Sequence, residues 1–306
     1  MKAWIPGSLR LPQGRLDMVL DTDTYNEVDD QFALCYALLS PERLNVQAVY
    51  AAPFHNSRSA GPKDGMEKSY DEIVRLLGIM GVKTEGFAFR GSSRWMRDAG
   101  DCVESPAAGD LVTRAMARKP GEGPLCVVAI GAITNVASAL RMEPRIAERI
   151  HIVWLAGQPL SYGSAAEFNL CGDICASQAI FESGAPLTLI PCRGVASHLL
   201  TTVPELKDCI GGKNELCDAL IELFAAYSGD HFAWAKEIWD ISTIGYLIDP
   251  DWVPCVCEPR PVLSSDARWS RDPSRPPFLI AQWLDRNPIF RDMFKKLAGF
   301  EKMVRV

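Results

Sequence analysis

The segment LDMVLDTDTYNEVDDQFALCYALL, residues 16–39, carries the densest chemistry in the chain. Asp21, Asp23, Glu27, Asp29 and Asp30 fall within ten residues, after an apolar run that reads as a strand and at the start of one that reads as a helix. Carboxylates held that close repel one another, and a bound cation offsets the repulsion. Oxygen-only ligands favour a hard ion such as calcium or magnesium. The competing reading gives Asp29 or Asp30 the ordinary task of capping the helix and leaves the other acids solvated. Capping accounts for one acid and leaves the rest unexplained.

Whether these acids act together depends on the elements that carry them. Short runs rich in Val, Ile and Leu lie at 16–20, 46–52, 86–89, 125–130, 151–156 and 187–190. Helical stretches alternate with them at about 30–39, 66–80, 106–118, 134–142 and 173–183. That alternation predicts an α/β fold, an open, mostly parallel, Rossmann-like sheet flanked by helices. Ligands of such sheets bind beyond the carboxyl ends of the strands. Asp21 and Asp23 occupy one such end. Asn56 follows the second run, Thr134 and Asn135 the fourth, and Glu167 and Asn169 the fifth. Each has an ordinary reading taken singly: turn residue, helix cap, solvated loop acid. A parallel sheet brings them all to one rim.

Beyond about residue 200 the pattern turns helical, with amphipathic spacing over 214–227 and further helices at 241–248 and about 288–297. Residues 258–278, rich in Pro, Arg, Asp and Ser, read as an ordered loop. With no linker in sight, residues 1–306 read as one domain with a helical C-terminal part. Of the 306 residues 48% are hydrophobic and 23% charged, and the net charge is −6. Nucleic acid requires clustered Lys and Arg, and no basic block occurs. No apolar run is long enough to span a membrane. The first twenty residues lack the apolar stretch of a secretory signal. Ten scattered cysteines, several inside apolar runs, read as buried thiols, with zinc at CxxxC (171–175) or CxC (255–257) the lesser reading. That usage suggests a reducing compartment, the cytoplasm.

Four motifs carry a family resemblance. DTDTYNEVDDQFAL resembles the N-terminal aspartate motif of inosine–uridine-type nucleoside hydrolases. GAITNVASAL (131–140), AEFNLCGDICASQAIFESGAPLTLIP (166–191) and WDISTIGYLIDP (239–250) are similar to its later motifs, in the same order. The resemblance implies calcium-dependent hydrolysis of the N-glycosidic bond of a ribonucleoside or related riboside. It implies calcium held by Asp23, Asp30, Asp240 and the main-chain oxygen of Thr134, supported by Asp21. Asp29, Asn56, Glu167 and Asn169 would hold ribose hydroxyls, and Asp23 would also be the general base. A homodimer or homotetramer is implied as well.

The sequence also departs from that pattern. Thr24–Val28 makes the first motif two residues longer than usual, so Asn26 or Glu27 can enter the surroundings of the ion. Trp239 stands where the family usually has histidine, free to stack on a base or pack in the core. The mid-chain histidine motif has no counterpart. His55 and His231 are candidate replacements, against the plain reading of structural histidines. The segment bearing Trp269, Arg271 and Arg275 reads either as a cover for the site or as surface loop. Two other functions compete: a calcium-dependent ribose or nucleoside binder without turnover, and a magnesium phosphohydrolase suggested by Asp21-Thr22-Asp23-Thr24. The second requires a later Lys and acidic pair and does not account for Asp29-Asp30.

Overall fold

The computed structural model describes residues 8–98, 100–119 and 121–302. The reading of the amino terminus as lacking a signal falls in part on residues 1–7, outside them. The first half runs β1 (Leu16–Thr22), α1 (Asp30–Leu38), β2 (Leu44–Ala51), α2 (Pro62–Met80), β3 (Ala88–Arg90), α3 (Pro106–Met116), β4 (Leu125–Ala129) and α4 (Thr134–Met142). It continues with β5 (Ile150–Leu155), α5 (Phe168–Gly172), α6 (Ile174–Glu182), β6 (Leu187–Ile190), β7 (Leu200–Thr201), α7 (Val203–Ile210) and α8 (Glu215–Ala225). The chain closes with β8 (Lys236–Glu237), α9 (Ile241–Ile248), β9 (Cys255–Pro259), β10 (Val262–Leu263), β11 (Trp269–Ser270), β12 (Pro277–Ala281) and α10 (Arg286–Ala298).

Eight strands form one sheet in the order β3-β2-β1-β4-β5-β6-β12-β9. All neighbours pair in parallel except β12 and β9. Strands β4, β5 and β6 are buried at every position, as strands covered on both faces must be. Side chains alternate between the faces. Met18 and Leu20 join the core under α1, α2 and α7–α10, while Val19 joins the core under α3, α4 and α6. The strand order reverses between β1 and β4, and the crevice above such a reversal is where open α/β sheets take ligands.

The six expected strands and the helices through residue 142 are present with shifted ends. Helix α2 starts at Pro62 rather than 66, because proline suits a first turn, and ends at Met80, capped by Gly81 in the left-handed region (φ 73°). The expected helix at 173–183 is α6, with the separate short α5 before it. The expected loop over 258–278 is corrected. Its ends belong to β9 and β12, and its middle folds as the β10–β11 hairpin. The polar sequence there reflects an exposed edge strand rather than absent structure. No helix among the described residues is long and apolar enough to cross a membrane.

Candidate functional site

Strand β1 ends under a cleft of about 270 Å³. Asp23, Asp29, Asp30 and Asp240 all line it, with Asn26, Glu27, Glu167, Asn169 and Trp239. Asp29 and Asp240 stand at the amino ends of α1 and α9, yet neither side chain caps its helix. They turn instead toward Asp30, and one oxygen from each of the three lies within 4.8 Å of the others. Unit charges ~5 Å apart repel by about 3 kcal/mol at an effective dielectric near 20. Ligand oxygens around one calcium, each ~2.4 Å from it, also stand up to ~4.8 Å apart.

Asp23 is fully buried, and neither of its carboxylate oxygens has a hydrogen-bond donor. Burial first, then repulsion from Asp30, Asp29 and Glu27, pushes its pKa far above the carboxylate range. Burial is the first cause for Asp29, Asp30 and Asp240 too. Asp30 accepts from the Thr22 hydroxyl at 2.5 Å. An unpaired buried carboxylate among three others is costly unless a cation neutralises the group. The donor set therefore fits a hard divalent ion.

The floor beneath the acids is built by amides. Asn135, on α4, donates to Asp21 Oδ1 at 2.7 Å and to the Ala51 carbonyl at 3.2 Å, and accepts from the Ser92 N–H and hydroxyl. Burial raises the Asp21 carboxyl to about 7, opposed by that Asn135 bond. Gly131 gives Asp23 its room: a Cβ there would sit 3.0 Å from Asp23 Cγ and 3.1 Å from Ala52 Cβ. Gly131→Ala should cost about 1–3 kcal/mol through overpacking. A denaturant midpoint unchanged from wild type would show that the floor yields.

The remaining candidates divide. Glu167 caps α5, with Oε1 accepting from Asn169 N and Oε2 from Gly157 N and Leu170 N. Asn169 gives its amide to the carbonyls of Ile130 and Leu155, which leaves its side-chain oxygen for the cleft. Asn56 does not line the cleft. Its amide donates to Asn26 Oδ1 at 2.7 Å, so Asn26 stands between it and the cavity. Thr134 is also outside the lining, and its hydroxyl donates to Asp173. His55 is exposed beside Ser59, and His231 is exposed against the Ala225 carbonyl and Trp234; neither lines the cleft. The idea of a covering segment is corrected. Trp269 packs on Phe181 and donates to the Gln158 carbonyl, Arg275 is tied to Phe181 and Glu182, and Arg271 lines a different pocket.

Sequence reasoning missed Gln158, Cys192 and Arg193, which line the cleft beyond β5 and β6. The strand-end rule that found Asp23 would have found them. It also missed Lys236, buried on β8, which pairs with Glu27 and offsets the repulsion felt by Asp29.

Fold and cleft together define an α/β protein with an acidic, cation-suited site at the strand-order reversal. The chain belongs to the inosine-uridine preferring nucleoside hydrolase family, whose model matches residues 18–268. It is 26% identical over 264 residues to the pyrimidine-specific ribonucleoside hydrolase RihA of Klebsiella pneumoniae (strain 342), covering 77% of this chain and 80% of that one. It is 28% identical over 138 residues to the putative pyrimidine-specific ribonucleoside hydrolase RihB of Shigella boydii serotype 4 (strain Sb227), covering 43% of this chain and 57% of that one. The matched region thus spans little more than half of that relative. Among solved structures, a purine-preferring ribonucleoside hydrolase from Gardnerella vaginalis superposes with a TM-score of 0.71 at 20% identity, covering 93% of this chain and 98% of that one. An inosine-uridine preferring nucleoside hydrolase from Bacillus anthracis does so with 0.71 at 15%, covering 94% and 100%. At those identities the likeness is one of fold.

Proposed function

We propose that this chain hydrolyses the N-glycosidic bond of a ribonucleoside or related riboside with a divalent cation, calcium by family resemblance, at Asp23, Asp30 and Asp240. The observation that carries the reading is the Asp23 carboxylate, buried without a donor beside three other cleft aspartates. Bound there, the cation would offset their repulsion and make a water more acidic. Thr134 remains a proposed main-chain ligand on the resemblance alone.

Asp23 is the general base: it takes the proton of the water that attacks C1′. Asp29 accepts from one ribose hydroxyl, and the free oxygen of Asn169 from another. Glu167, anchored by three N–H groups, fixes a third. The role expected of Asn56 passes to Asn26, which faces the cavity while Asn56 holds it from behind. Bond cleavage builds positive charge on the ribose, and a carboxylate cluster placed beforehand stabilises it.

A second reading, binding without turnover, is favoured by the lack of any histidine along the cleft. Incubation with p-nitrophenyl riboside, whose leaving group requires no proton, separates the two. Release of p-nitrophenol that stops with EDTA supports the hydrolase, and binding without release supports the binder. The half-buried indole of Trp239 lines the cleft while packing on the core, and the base would stack on it. Trp239→Ala should raise KM for ribosides with aromatic bases roughly tenfold, the worth of one ring contact. Inhibition by free ribose should not change; equal losses for both would assign Trp239 to packing. Ten free thiols support a reducing compartment such as the cytoplasm, and the resemblance supports one domain in a homodimer or homotetramer.

A further inference from the structure

The cleft is short of proton donors on the side that would face a departing base. None of the four histidines lines it: His151 is buried against Thr188, and His55, His198 and His231 are exposed elsewhere. Both oxygens of Glu167 already accept main-chain N–H bonds, and the buried Cys192 thiol lies against that same carboxylate. Arg193 offers a guanidinium, which donates hydrogen bonds and is not a general acid. Asp29, Asp30 and Asp240 face one another around the proposed cation and ribose positions, and Glu27 is paired with Lys236. A ring nitrogen that must collect a proton as it leaves finds no histidine and no unengaged carboxyl group on that side among the described lining residues.

The same wall has a positive character of its own. Trp239 and Phe168 line the cleft as aromatic surfaces, and Phe168 is exposed on it. Six lining residues are acidic, and Arg193, exposed at the surface, is the one cation among the described lining residues. Ring faces amid negative charge favour a positively charged heterocycle.

We propose that the cleft takes N-ribosylated heteroaromatic cations, such as a ribosyl pyridinium, in preference to neutral purine or pyrimidine nucleosides, an inference that rests on the ribosidase reading above. As the C1′–N bond breaks, its electron pair moves to the ring nitrogen and cancels the ring's positive charge. The ring leaves neutral and takes up no proton. The water oxygen bonds to C1′, and the water proton goes to Asp23. Positive charge passes from ring to ribose and leaves as that proton, so the carboxylates favour it throughout.

The test compares kcat/KM for ribosylnicotinamide, inosine, uridine and p-nitrophenyl riboside with the full chain and calcium present. Ribosylnicotinamide should exceed inosine and uridine by roughly 100-fold, the contribution a positioned general acid makes to substrates that require one. Inosine or uridine turned over as well as ribosylnicotinamide would overturn the preference and leave the ribosidase reading standing. So would turnover of p-nitrophenyl riboside with none of ribosylnicotinamide. Inertness of all four compounds would overturn both.

Discussion

Asp23→Asn is expected to abolish riboside turnover, by about 1,000-fold or more in kcat, while the folded protein becomes more stable without metal. The two effects have one origin. Asp23 is buried with no donor to either oxygen and sits among three other cleft acids. An amide of the same shape removes one negative charge from that group and also removes the only carboxylate proposed to accept the water proton. General-base contributions run from about 100-fold to 10,000-fold, and loss of a cation ligand adds to that. Relief of even ~1 kcal/mol of repulsion should raise the Tm of the metal-free protein by about 2 °C. Stopped-assay turnover and a melting curve on the same preparation check both halves. Turnover within tenfold of wild type would remove Asp23 as the base. A lower metal-free Tm would show that its charge is already compensated.

Calcium should raise the Tm, and the gain should be larger at pH 8 than at pH 5. At a calcium concentration 100 times the Kd the stabilisation is about 2.7 kcal/mol, worth roughly 5 °C. The pH trend follows from the buried acids. Asp21 is raised to about 7 by burial, and Asp23, Asp29, Asp30 and Asp240 are raised as well. A carboxyl whose folded pKa lies above its unfolded value binds its proton more tightly when folded. The metal-free protein is therefore most stable below the ordinary carboxylate pKa of about 4 and loses stability as pH rises toward 7 and beyond. A cation among the same oxygens takes over the protons' role, so the loss shrinks when calcium is present. Melting curves with calcium or with EDTA across this range measure both slopes. A calcium effect that is the same at both pH values would place the bound ion away from the carboxylates.

Much of this site could be read before any coordinates. Asp21, Asp23, Asp29 and Asp30 announce themselves because strand and helix signals bracket them within ten residues. Asp240, 210 positions beyond Asp30, carries no such local signal, and only the resemblance joined it to the others. What escaped has a common cause. Gln158, Cys192 and Arg193 are of ordinary type, and their place on the cleft follows from where β5 and β6 end rather than from their chemistry. Asn26 stands at the cleft with Asn56 bonded behind it, a pairing between residues 30 positions apart that no local pattern announces. Strands β9 and β12 were hidden by proline and charge: the exposed residues of CVCEP belong to a sheet edge, and the apolar FLIA follows a proline-rich run.

One consequence lies in the Asn135 amide. Its four hydrogen bonds reach β1 at Asp21, β2 at Ala51 and the chain beyond β3 at Ser92, while Asn135 itself belongs to α4. Four separately connected parts of the protein are thereby clamped by a single uncharged head group. A cluster of like charges pushes its supports apart, most strongly when no cation lies among them. With this rivet beneath them the acids have little freedom to retreat, so an ion bound among them would find its ligands still assembled on return, and its exchange would require no rebuilding of the rim.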